Sequence, residues 1–415
     1  MLILRARWVL PIADRPLLNG WVALDRGRVA AVGRPGASLP FRDQAPLVDL
    51  GPMAVLPGLV NAHTHLELAW LAGRVPAAAC FTDWVRDMLA RRRAETPDPA
   101  AVEAAIDRAI DALRASGTAI IGDVSNTLAS VAPLRRSALG GVVFHELLRL
   151  RASEADDVLE QGLDAIARAG SAVRVPISLA PHAPYSVSPQ LFQGIRAALG
   201  RTPFLPSTVH LGESPEEIEL LARGTGPWRR LLEDLGAWDP AWQPPRSGPA
   251  AYLQRMGVLG PRLLVVHGTH LDDADLARVR AAGATLVTCP RSNVHVGAGE
   301  PPVDRFYRSG VRVAVGTDSL ASAPDLNVFE ELAAMRRLAP SVPAARLLDS
   351  ATREGARALG FEADAGTIEP GRARALVAVD LPAEVVDVEE YLVGGVPPDR
   401  VHWVGDLLGD RVRYA

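Results

Sequence analysis

The chain carries, at positions 57 to 65, the stretch Pro57-Gly-Leu-Val-Asn-Ala-His63-Thr-His65, which closes an apolar run that begins at Ala54. Side chains along a strand alternate between its two faces, so His63 and His65 are expected to point the same way. Two neutral imidazoles that converge from one strand end suit a divalent metal such as Zn²⁺. A single His-x-His also occurs in many ordinary proteins, and alone it predicts a metal site only weakly.

Three further apolar runs end in residues that can bind a metal or move a proton. The runs Pro206–Val209, Leu263–Val266 and Val311–Val315 are followed by His210-Leu-Gly-Glu213, His267-Gly-Thr-His270 and Gly316-Thr-Asp318-Ser319. Parallel strands of one barrel share a rim at their C-terminal ends, and active sites are built there. The four strand ends together predict a metal site on that rim.

The strand-like runs recur at intervals typical of a barrel. In order they are Ala54–Ala62, Gly117–Val124, Leu139–Leu147, Val173–Leu179, Pro206–Leu211, Leu263–His267, Ala284–Thr288 and Val311–Thr317. Segments with helical periodicity, such as Ala100–Ala115, lie between most of them. Eight strands that alternate with helices predict the α/β class and a (β/α)8 TIM-like barrel.

The two ends of the chain are expected to form a second, smaller unit. Val22–Gly33 is typical of a hairpin with a glycine turn, and Ala375–Val379 is typical of another short strand. We expect residues 1–53 and 368–415 to form a small β-sandwich beside a barrel domain at 54–367. The segment Arg223–Pro249, rich in Trp, Pro and Gly, is equally compatible with a substrate wall and with a plain surface loop.

Composition narrows the class of protein. The chain has 415 residues, 48% of them hydrophobic, a net charge of −4 and no clustered basic face, so nucleic acid is not an expected partner. No apolar run reaches the roughly 20 residues of a membrane helix, and no signal peptide is recognisable at the N-terminus. Two cysteines give no disulfide framework, which favours the cytoplasm.

The chain contains no lysine, because all 44 of its basic residues are arginines. A codon or amino-acid usage bias of the source organism explains the absence of lysine well. Its chemical consequence is that neither a lysine Schiff base nor a carbamylated lysine that bridges two metals can form. The sequence therefore favours a site with a single metal, unless a Glu or Asp takes the bridging role.

Five motifs together resemble the metal-dependent amidohydrolase superfamily over nearly the whole chain. They are PGLVNAHTH, HLGES, HGTHL, CPRSN and GTDSLAS, and Gly366-Thr-Ile-Glu-Pro-Gly resembles the usual exit from the barrel. The chain departs from the family at Arg372-Ala-Arg-Ala-Leu, where an Ala-Asp-Leu is common. His210-x-x-Glu213 and the expected single metal resemble the deaminase and chlorohydrolase branch of this superfamily. Pro181-His182-Ala-Pro-Tyr185-Ser is similar to a segment of methylthioadenosine/adenosylhomocysteine deaminases, and the branch that deaminates 6-aminodeoxyfutalosine on the alternative menaquinone route is the closer match.

The resemblance implies a role for each strand-end residue. His63, His65 and His210 would bind one divalent metal with Asp318, zinc being expected and iron the alternative. A metal of this kind lowers the pKa of a bound water from about 15.7 to about 7, and Asp318 would accept that water's proton. Glu213 would be the general acid and base, or alternatively a helix-start residue; His267 would contact the water without being a strong ligand.

The resemblance also implies substrate contacts on the same rim. His182 and Tyr185 would bind the nucleoside, and Arg149, Arg151 and Arg291 are candidates for a carboxylate of the substrate. Ser292 and Asn293 would shape the pocket, while His145 and His270 are open between packing and function. His295 and His402 are expected to have no role in the site.

The expected function is hydrolytic deamination of an adenine-type nucleoside, with 6-aminodeoxyfutalosine as the preferred substrate. The alternatives are a deaminase of methylthioadenosine, adenosylhomocysteine or a nucleobase, and a triazine-type chlorohydrolase. A barrel that has lost its chemistry and only binds ligands is a remote alternative, because every catalytic position is filled. Self-association is expected from family habit alone.

Overall fold

The structure is a computed structural model that describes residues 1–37, 45–95, 97–202, 204–372 and 375–409. Its N-terminal strands are β1 (Leu2–Arg5), β2 (Trp8–Val9), β3 (Leu17–Leu18), β4 (Trp21–Asp25), β5 (Arg28–Gly33), β6 (Leu47–Asp49) and β7 (Met53–Pro57). The central strands are β8 (Leu59–Thr64), β9 (Thr118–Ser125), β10 (Gly140–Leu147), β11 (Ile177–Pro181), β12 (Ser207–Leu211), β13 (Leu263–His267), β14 (Thr285–Thr288) and β15 (Arg312–Val315). The last two strands are β16 (Leu376–Asp380) and β17 (Val401–Trp403).

Helices follow most of the central strands. They are α1 (Phe81–Ala94), α2 (Pro99–Ala115), α3 (Val131–Arg136), α4 (Ala155–Ala169), α5 (Pro189–Leu199), α6 (Pro215–Arg223), α7 (Pro227–Asp234), α8 (Pro249–Met256), α9 (Asp273–Ala281), α10 (Pro290–His295), α11 (Val303–Ser309), α12 (Val328–Leu338), α13 (Ala344–Ser350), α14 (Arg353–Ala358), α15 (Val388–Val393) and α16 (Val404–Leu408). Short 3-10 helices lie at Leu66–Leu71, Ala152–Glu154 and Pro398–Arg400. In the parts of the chain that the structure describes, no helix is both long and apolar enough to cross a membrane.

The eight central strands close into a parallel barrel. Strands β8 to β11 form one parallel sheet in the order β11-β10-β9-β8, and β12 to β15 form a second in chain order. The amide of His210 donates to the carbonyl of His182 at 2.9 Å, which joins β12 to the end of β11. The amide of Asp318 donates to the carbonyl of His63 at 3.1 Å, which joins the end of β15 to β8. These contacts confirm the predicted (β/α)8 barrel.

The largest differences from the predicted strand boundaries lie in two of the runs. The run Ala54–Ala62 is two strands, because the chain leaves β7 at Pro57 and enters the barrel at Leu59. A Cβ atom at Gly58 would lie 2.6 Å from the Cβ of Ala119, so only glycine lets the chain pass between the two sheets there. The fourth barrel strand begins at Ile177, four residues later than predicted, and Val173 is fully exposed.

Strand β7 belongs to a small five-stranded sheet of order β17-β16-β7-β2-β3, and β1, β4, β5 and β6 form a four-stranded sheet. Buried side chains of both sheets share one apolar cluster, which includes Leu4, Val22, Val55, Leu376 and Ala378. Apolar burial against the second sheet is what holds each of these short-stranded sheets in place. The division into residues 1–53 with 368–415 and 54–367 stays a prediction, and its segments 38–44, 373–374 and 410–415 lie outside the described residues.

Candidate metal centre and active site

Three imidazoles and one carboxylate converge where β8, β12 and β15 end. The Nε2 atoms of His65 and His210 lie 3.3 Å apart. Oδ1 of Asp318 lies 3.8 Å from Nε2 of His63 and 3.6 Å from Nε2 of His65. The four ligands expected from the sequence are therefore brought together by three different strands.

Two histidines of this cluster, His63 and His210, have pKa values that burial lowers. Burial, followed by the neighbouring imidazoles, lowers the pKa of His63 well below its ordinary value. Burial lowers the pKa of His210 to about 3, against a smaller opposing effect of Glu146. A metal ligand must be a neutral imidazole, so this environment favours metal binding at neutral pH.

The donor atoms fit a divalent metal. Within the described part of the chain, both ring nitrogens of His63 are buried and have no hydrogen-bond partner. A buried polar atom without a partner costs free energy, and a cation that His63, His65, His210 and Asp318 hold in common would remove that cost at one of the two nitrogens. A set of imidazoles and one carboxylate is typical of zinc and iron sites.

Asp318 is held in an uncommon backbone conformation that aims one oxygen into the cluster. Its φ of +59° lies in the left-handed region. Its Oδ2 accepts a hydrogen bond of 2.6 Å from the Ser292 hydroxyl, which leaves Oδ1 facing the histidines. Burial by itself would raise the pKa of Asp318, but His65, His267, the hydrogen bond from Ser292 and His210 together keep that pKa below its ordinary value.

The approach of β15 to β8 depends on a glycine. A Cβ atom at Gly316 would lie 2.7 Å from both the Cβ and the carbonyl oxygen of His63. No side chain fits in that space, so Gly316 is what lets Asp318 reach His63 and His65. In the Gly-Thr-Asp motif, Gly316 therefore allows the close approach of the two strands and Asp318 supplies the candidate ligand.

His210 is oriented from behind by two acceptors that sequence reasoning missed. Its Nδ1 donates to the carbonyl of His182 at 3.1 Å and lies 3.4 Å from Oε1 of Glu146. Such partners fix the tautomer of a ligating histidine and direct its other nitrogen at the metal. The available signal was the position of buried Glu146 at the end of the third predicted strand, beside His145.

Glu213 lies just beyond β12 and is only 3% exposed. Burial raises the pKa of Glu213 well above its ordinary value, and Asp318 and Glu217 add to the rise. Glu217 accepts hydrogen bonds from the amides of Gly212 and Glu213, at 2.9 Å and 3.1 Å, and so holds this loop. The helix cap is Ser214, whose hydroxyl accepts from the amide of Glu217, so Glu213 itself precedes the helix.

His267, like Asp318, has a left-handed backbone conformation, and this conformation directs its side chain into the site. Leu263 and Val265 of β13 point outward, into the apolar core between the strands and the outer helices. Leu264 and Val266 point into the barrel interior. Strict alternation would point His267 outward, but its φ of +70° reverses this. Its Nε2 lies 3.5 Å from Oε1 of Glu213, and burial lowers the pKa of His267 to about 4.

An aromatic wall borders the cluster at His182 and Tyr185. Nδ1 of His182 lies 2.5 Å from the Ser186 hydroxyl, and burial lowers the pKa of His182 to about 3. Tyr185 meets His182 edge to face, with ring centroids 5.5 Å apart. Trp228 of α7 stacks on Tyr185 at 3.9 Å, so the segment Arg223–Pro249 contributes a wall beside the site and is not a plain surface loop.

The candidate arginines differ in their surroundings. Arg149 and Arg151 are about half exposed, pair with Glu154 at 3.2 Å and 3.6 Å, and line a cavity of about 520 Å³ that also reaches Glu146. Arg291 is a correction to the sequence prediction. Its guanidinium forms ion pairs with Glu331 at 2.7 Å and with Asp325 at 2.8 Å. These two carboxylates occupy the guanidinium that a substrate carboxylate would need.

Known proteins share this arrangement of strands and motifs. The amidohydrolase family matches residues 54–406. An aminodeoxyfutalosine deaminase of Deinococcus radiodurans is 32% identical over 82% of this chain and 81% of its own length. A 5-methylthioadenosine/S-adenosylhomocysteine deaminase of Syntrophobacter fumaroxidans is 31% identical over 87% of this chain and 80% of its own. The chain belongs to the amidohydrolase family.

A solved amidohydrolase structure supports the same assignment. An adenosine deaminase from Xanthomonas campestris with bound zinc superimposes with a TM-score of 0.79 and 27% identity, over 96% of this chain and 90% of the other. This amidohydrolase is therefore a metal-dependent hydrolase of the group that acts on C–N bonds.

The remaining histidines of this amidohydrolase have structural partners. Nε2 of His270 donates to the carbonyl of Ala298 at 2.7 Å, and Nε2 of His295 donates to the carbonyl of Val75 at 3.1 Å. His402 pairs with Asp380 at 2.8 Å in the small sheet. His145 lies with Nδ1 3.3 Å from the carbonyl of Ser125, on the wall of the cavity beside Arg149.

Proposed function

We propose that this amidohydrolase replaces the 6-amino group of an adenine-type nucleoside by oxygen and releases ammonia, with 6-aminodeoxyfutalosine as the preferred substrate. The observation that carries the proposal is the buried carboxyl of Glu213, beside His267 and on the rim where His63, His65, His210 and Asp318 converge. The relatives that deaminate aminodeoxyfutalosine and methylthioadenosine support the choice of substrate class.

In this proposal His63, His65, His210 and Asp318 hold one zinc ion. The zinc in the similar adenosine deaminase supports that metal, and iron is the alternative. A divalent metal supplies a Lewis acid that lowers the pKa of a water from about 15.7 to about 7.

The side chains of this chain then handle the protons. Asp318, whose pKa stays low, is ionised and can accept the proton that the water gives up. Glu213, whose pKa is raised well above its ordinary value by burial, holds a proton more readily than an exposed carboxyl does and would donate it to N1 of the purine as oxygen adds at C6. Glu213, once it has given up this proton, takes the proton of the new hydroxyl at C6 and delivers it to the departing amino group as the C6–N bond breaks. The proton held by Asp318 then restores Glu213, so that one water and one nucleoside give one ammonia and the 6-oxo product.

Binding of the nucleoside would use the neighbouring walls. The edge of His182 and the ring of Tyr185 offer a polar and an aromatic contact for the base and sugar. Glu146, which lies beside His210, lines the same cavity as Arg149 and Arg151, and this supports placing there an arm of the substrate that ends in a carboxylate. An anionic arm distinguishes 6-aminodeoxyfutalosine from adenosine and methylthioadenosine.

The test is ammonia release from a panel of substrates by purified enzyme of known metal content. The panel is 6-aminodeoxyfutalosine, adenosine, methylthioadenosine, adenosylhomocysteine, guanine and cytosine, with chloride release from a chlorotriazine measured in parallel. Selective release of ammonia from 6-aminodeoxyfutalosine is the expected result. Selective turnover of another purine nucleoside would change the substrate and keep the reaction, whereas chloride release without ammonia release would make the deaminase proposal wrong.

A further inference from the structure

Two consecutive residues of α10 contact Asp318 and His267, the two residues of the site that have a left-handed backbone conformation. Ser292 and Asn293 are both fully buried. The Ser292 hydroxyl donates to Oδ2 of Asp318 at 2.6 Å, and Nδ2 of Asn293 lies 3.3 Å from Nδ1 of His267. One helical turn therefore reaches both the carboxylate that follows β15 and the histidine that ends β13.

The contact with Asn293 determines which nitrogen of His267 carries the proton. An amide N–H that donates to Nδ1 requires a lone pair there, and a neutral imidazole then has its proton on Nε2. The group that faces Nε2 is Oε1 of Glu213, at 3.5 Å, and a carboxyl oxygen without a proton can accept a hydrogen bond from Nε2–H. The contact with Asn293 selects the Nε2–H tautomer, and the position of Glu213 is compatible with it.

The tautomer matters because His267 lies close enough to the cluster to be a ligand. His63, His210 and His267 each offer a nitrogen within 4.8 Å of the others. A nitrogen that carries a proton has no lone pair for a metal, so the Nε2–H tautomer excludes His267 from the ligand set. The same N–H points at the space between the cluster and Glu213.

The position of Asn293 is fixed by its neighbour. Arg291 binds Oε1 of Glu331 through Nε at 2.7 Å, and its backbone amide donates to Oε2 of the same carboxylate at 3.2 Å. A second pairing with Asp325 ties the turn to the loop before α12. The amide of Ala298 also donates to the carbonyl of Asn293 at 2.9 Å, so the turn is held at both ends.

We propose that Asn293 is a positioning residue that keeps the proton of His267 on Nε2, so that His267 acts as a hydrogen-bond donor toward Glu213 and not as a metal ligand. The proposal rests on the metal site of the proposed function and on no particular substrate. It also assigns Arg291 the task of anchoring the turn that carries Asn293.

The test is to read the tautomer directly in the zinc-loaded protein. Long-range ¹H–¹⁵N correlation spectra of protein labelled with ¹⁵N-histidine distinguish a proton on Nε2 from one on Nδ1. The signals of His267 are assigned by their loss in His267→Gln. The wild type is expected to show the Nε2–H pattern for His267, and an Nδ1–H pattern would overturn the proposal without any further variant.

Two variants whose side chains have the same number of heavy atoms and the same branching at Cγ test the cause. In Asn293→Asp the carboxylate accepts from Nδ1–H, so the proton of His267 is expected to move to Nδ1. In Asn293→Leu neither a donor nor an acceptor is present, and the preference for Nε2–H should be lost without being inverted. An unchanged Nε2–H pattern in a folded Asn293→Asp protein, with the thermal unfolding midpoint as the control for folding, would overturn the role of Asn293.

Kinetics give a separate readout. Asn293→Asp is expected to lower kcat by about tenfold to a hundredfold, the usual range for a partner of a site residue, with KM nearly unchanged. A rise in KM alone would contradict a positioning role. Because the spectra need no substrate, a failure of the proposed deaminase reaction would leave the tautomer result standing, and the two failures are distinguishable.

Discussion

At the scale of single residues, the site depends on backbone conformations that ordinary residues avoid. His267 and Asp318 both have positive φ values, and each such conformation costs about 1–3 kcal/mol unless the surroundings enforce it. The sequence indicated which residues end the strands, because His, Glu and Asp there follow apolar runs. The sequence could not indicate the orientation of His267. Regular alternation along β13 would point this side chain away from the site, and only its positive φ directs it inward.

Glu217 gives a prediction for the pH dependence of stability. Burial raises the pKa of Glu217 from 4.5 to about 7. The folded protein then binds more protons than the unfolded chain between these two values, so the free energy of unfolding falls as pH rises through that window. Glu217→Gln removes this titration, and the variant should gain about 3 kcal/mol relative to the wild type between pH 4.5 and pH 7.5.

The measurement is urea unfolding of both metal-free proteins at the two pH values. The buried histidines also titrate, but they are common to both proteins and cancel in the comparison. A difference in stability that stays constant with pH would show that Glu217 does not titrate in this window.

Arg149 gives a prediction for substrate selectivity. If Arg149 binds the carboxylate of an anionic nucleoside, then Arg149→Met should raise KM for that nucleoside by about tenfold or more, the effect of one hydrogen bond to a charged group. KM for adenosine should change little. Arg151→Met measures the contribution of the second arginine of this cavity, which pairs with the same Glu154. An equal rise for both substrates would make the assignment of Arg149 wrong.

At the scale of elements, α10 shows where sequence reasoning reaches its limit. The motif Cys289-Pro-Arg-Ser-Asn293 follows the seventh strand, and this position correctly indicated that the motif borders the site. The prediction that Arg291 binds substrate is not supported, because Arg291 is paired with Asp325 and Glu331. These two partners lie 34 and 40 residues away in sequence, and only the fold brings them to Arg291. Local pattern cannot reveal such a pairing.

The anchor role of Arg291 can be tested by stability. Glu331 is fully buried, so Arg291→Met leaves its carboxylate without a cation and should lower the free energy of unfolding by about 3 kcal/mol. Adding Glu331→Gln to Arg291→Met should recover part of that loss, because the unpaired carboxylate is then gone. Urea unfolding of the single and double variants measures both effects. A fully stable Arg291→Met protein with a selective rise in KM for the anionic nucleoside would restore Arg291 as a substrate contact.

At the scale of the whole molecule, eight strands and their order could be predicted because parallel strands with crossover helices leave apolar runs at regular intervals. The division of Ala54–Ala62 into two strands could not, because the two sheets are joined through one glycine whose steric role depends on Ala119. The gathering of His63, His65, His210 and Asp318 followed from the single rim of a barrel. The contacts that orient them, from Glu146, Ser292 and Asn293, depend on strand register and loop geometry that no local pattern contains.

The central claim is that one metal site and the carboxyl of Glu213 together perform the deamination. The most direct test measures metal content and ammonia release in parallel for the wild type and Glu213→Gln. We expect one metal per chain in both proteins and a loss of about 10²–10⁴ in the rate of ammonia release for the variant, the range of general acid–base catalysis. Unchanged ammonia release from Glu213→Gln with its metal bound would contradict the account.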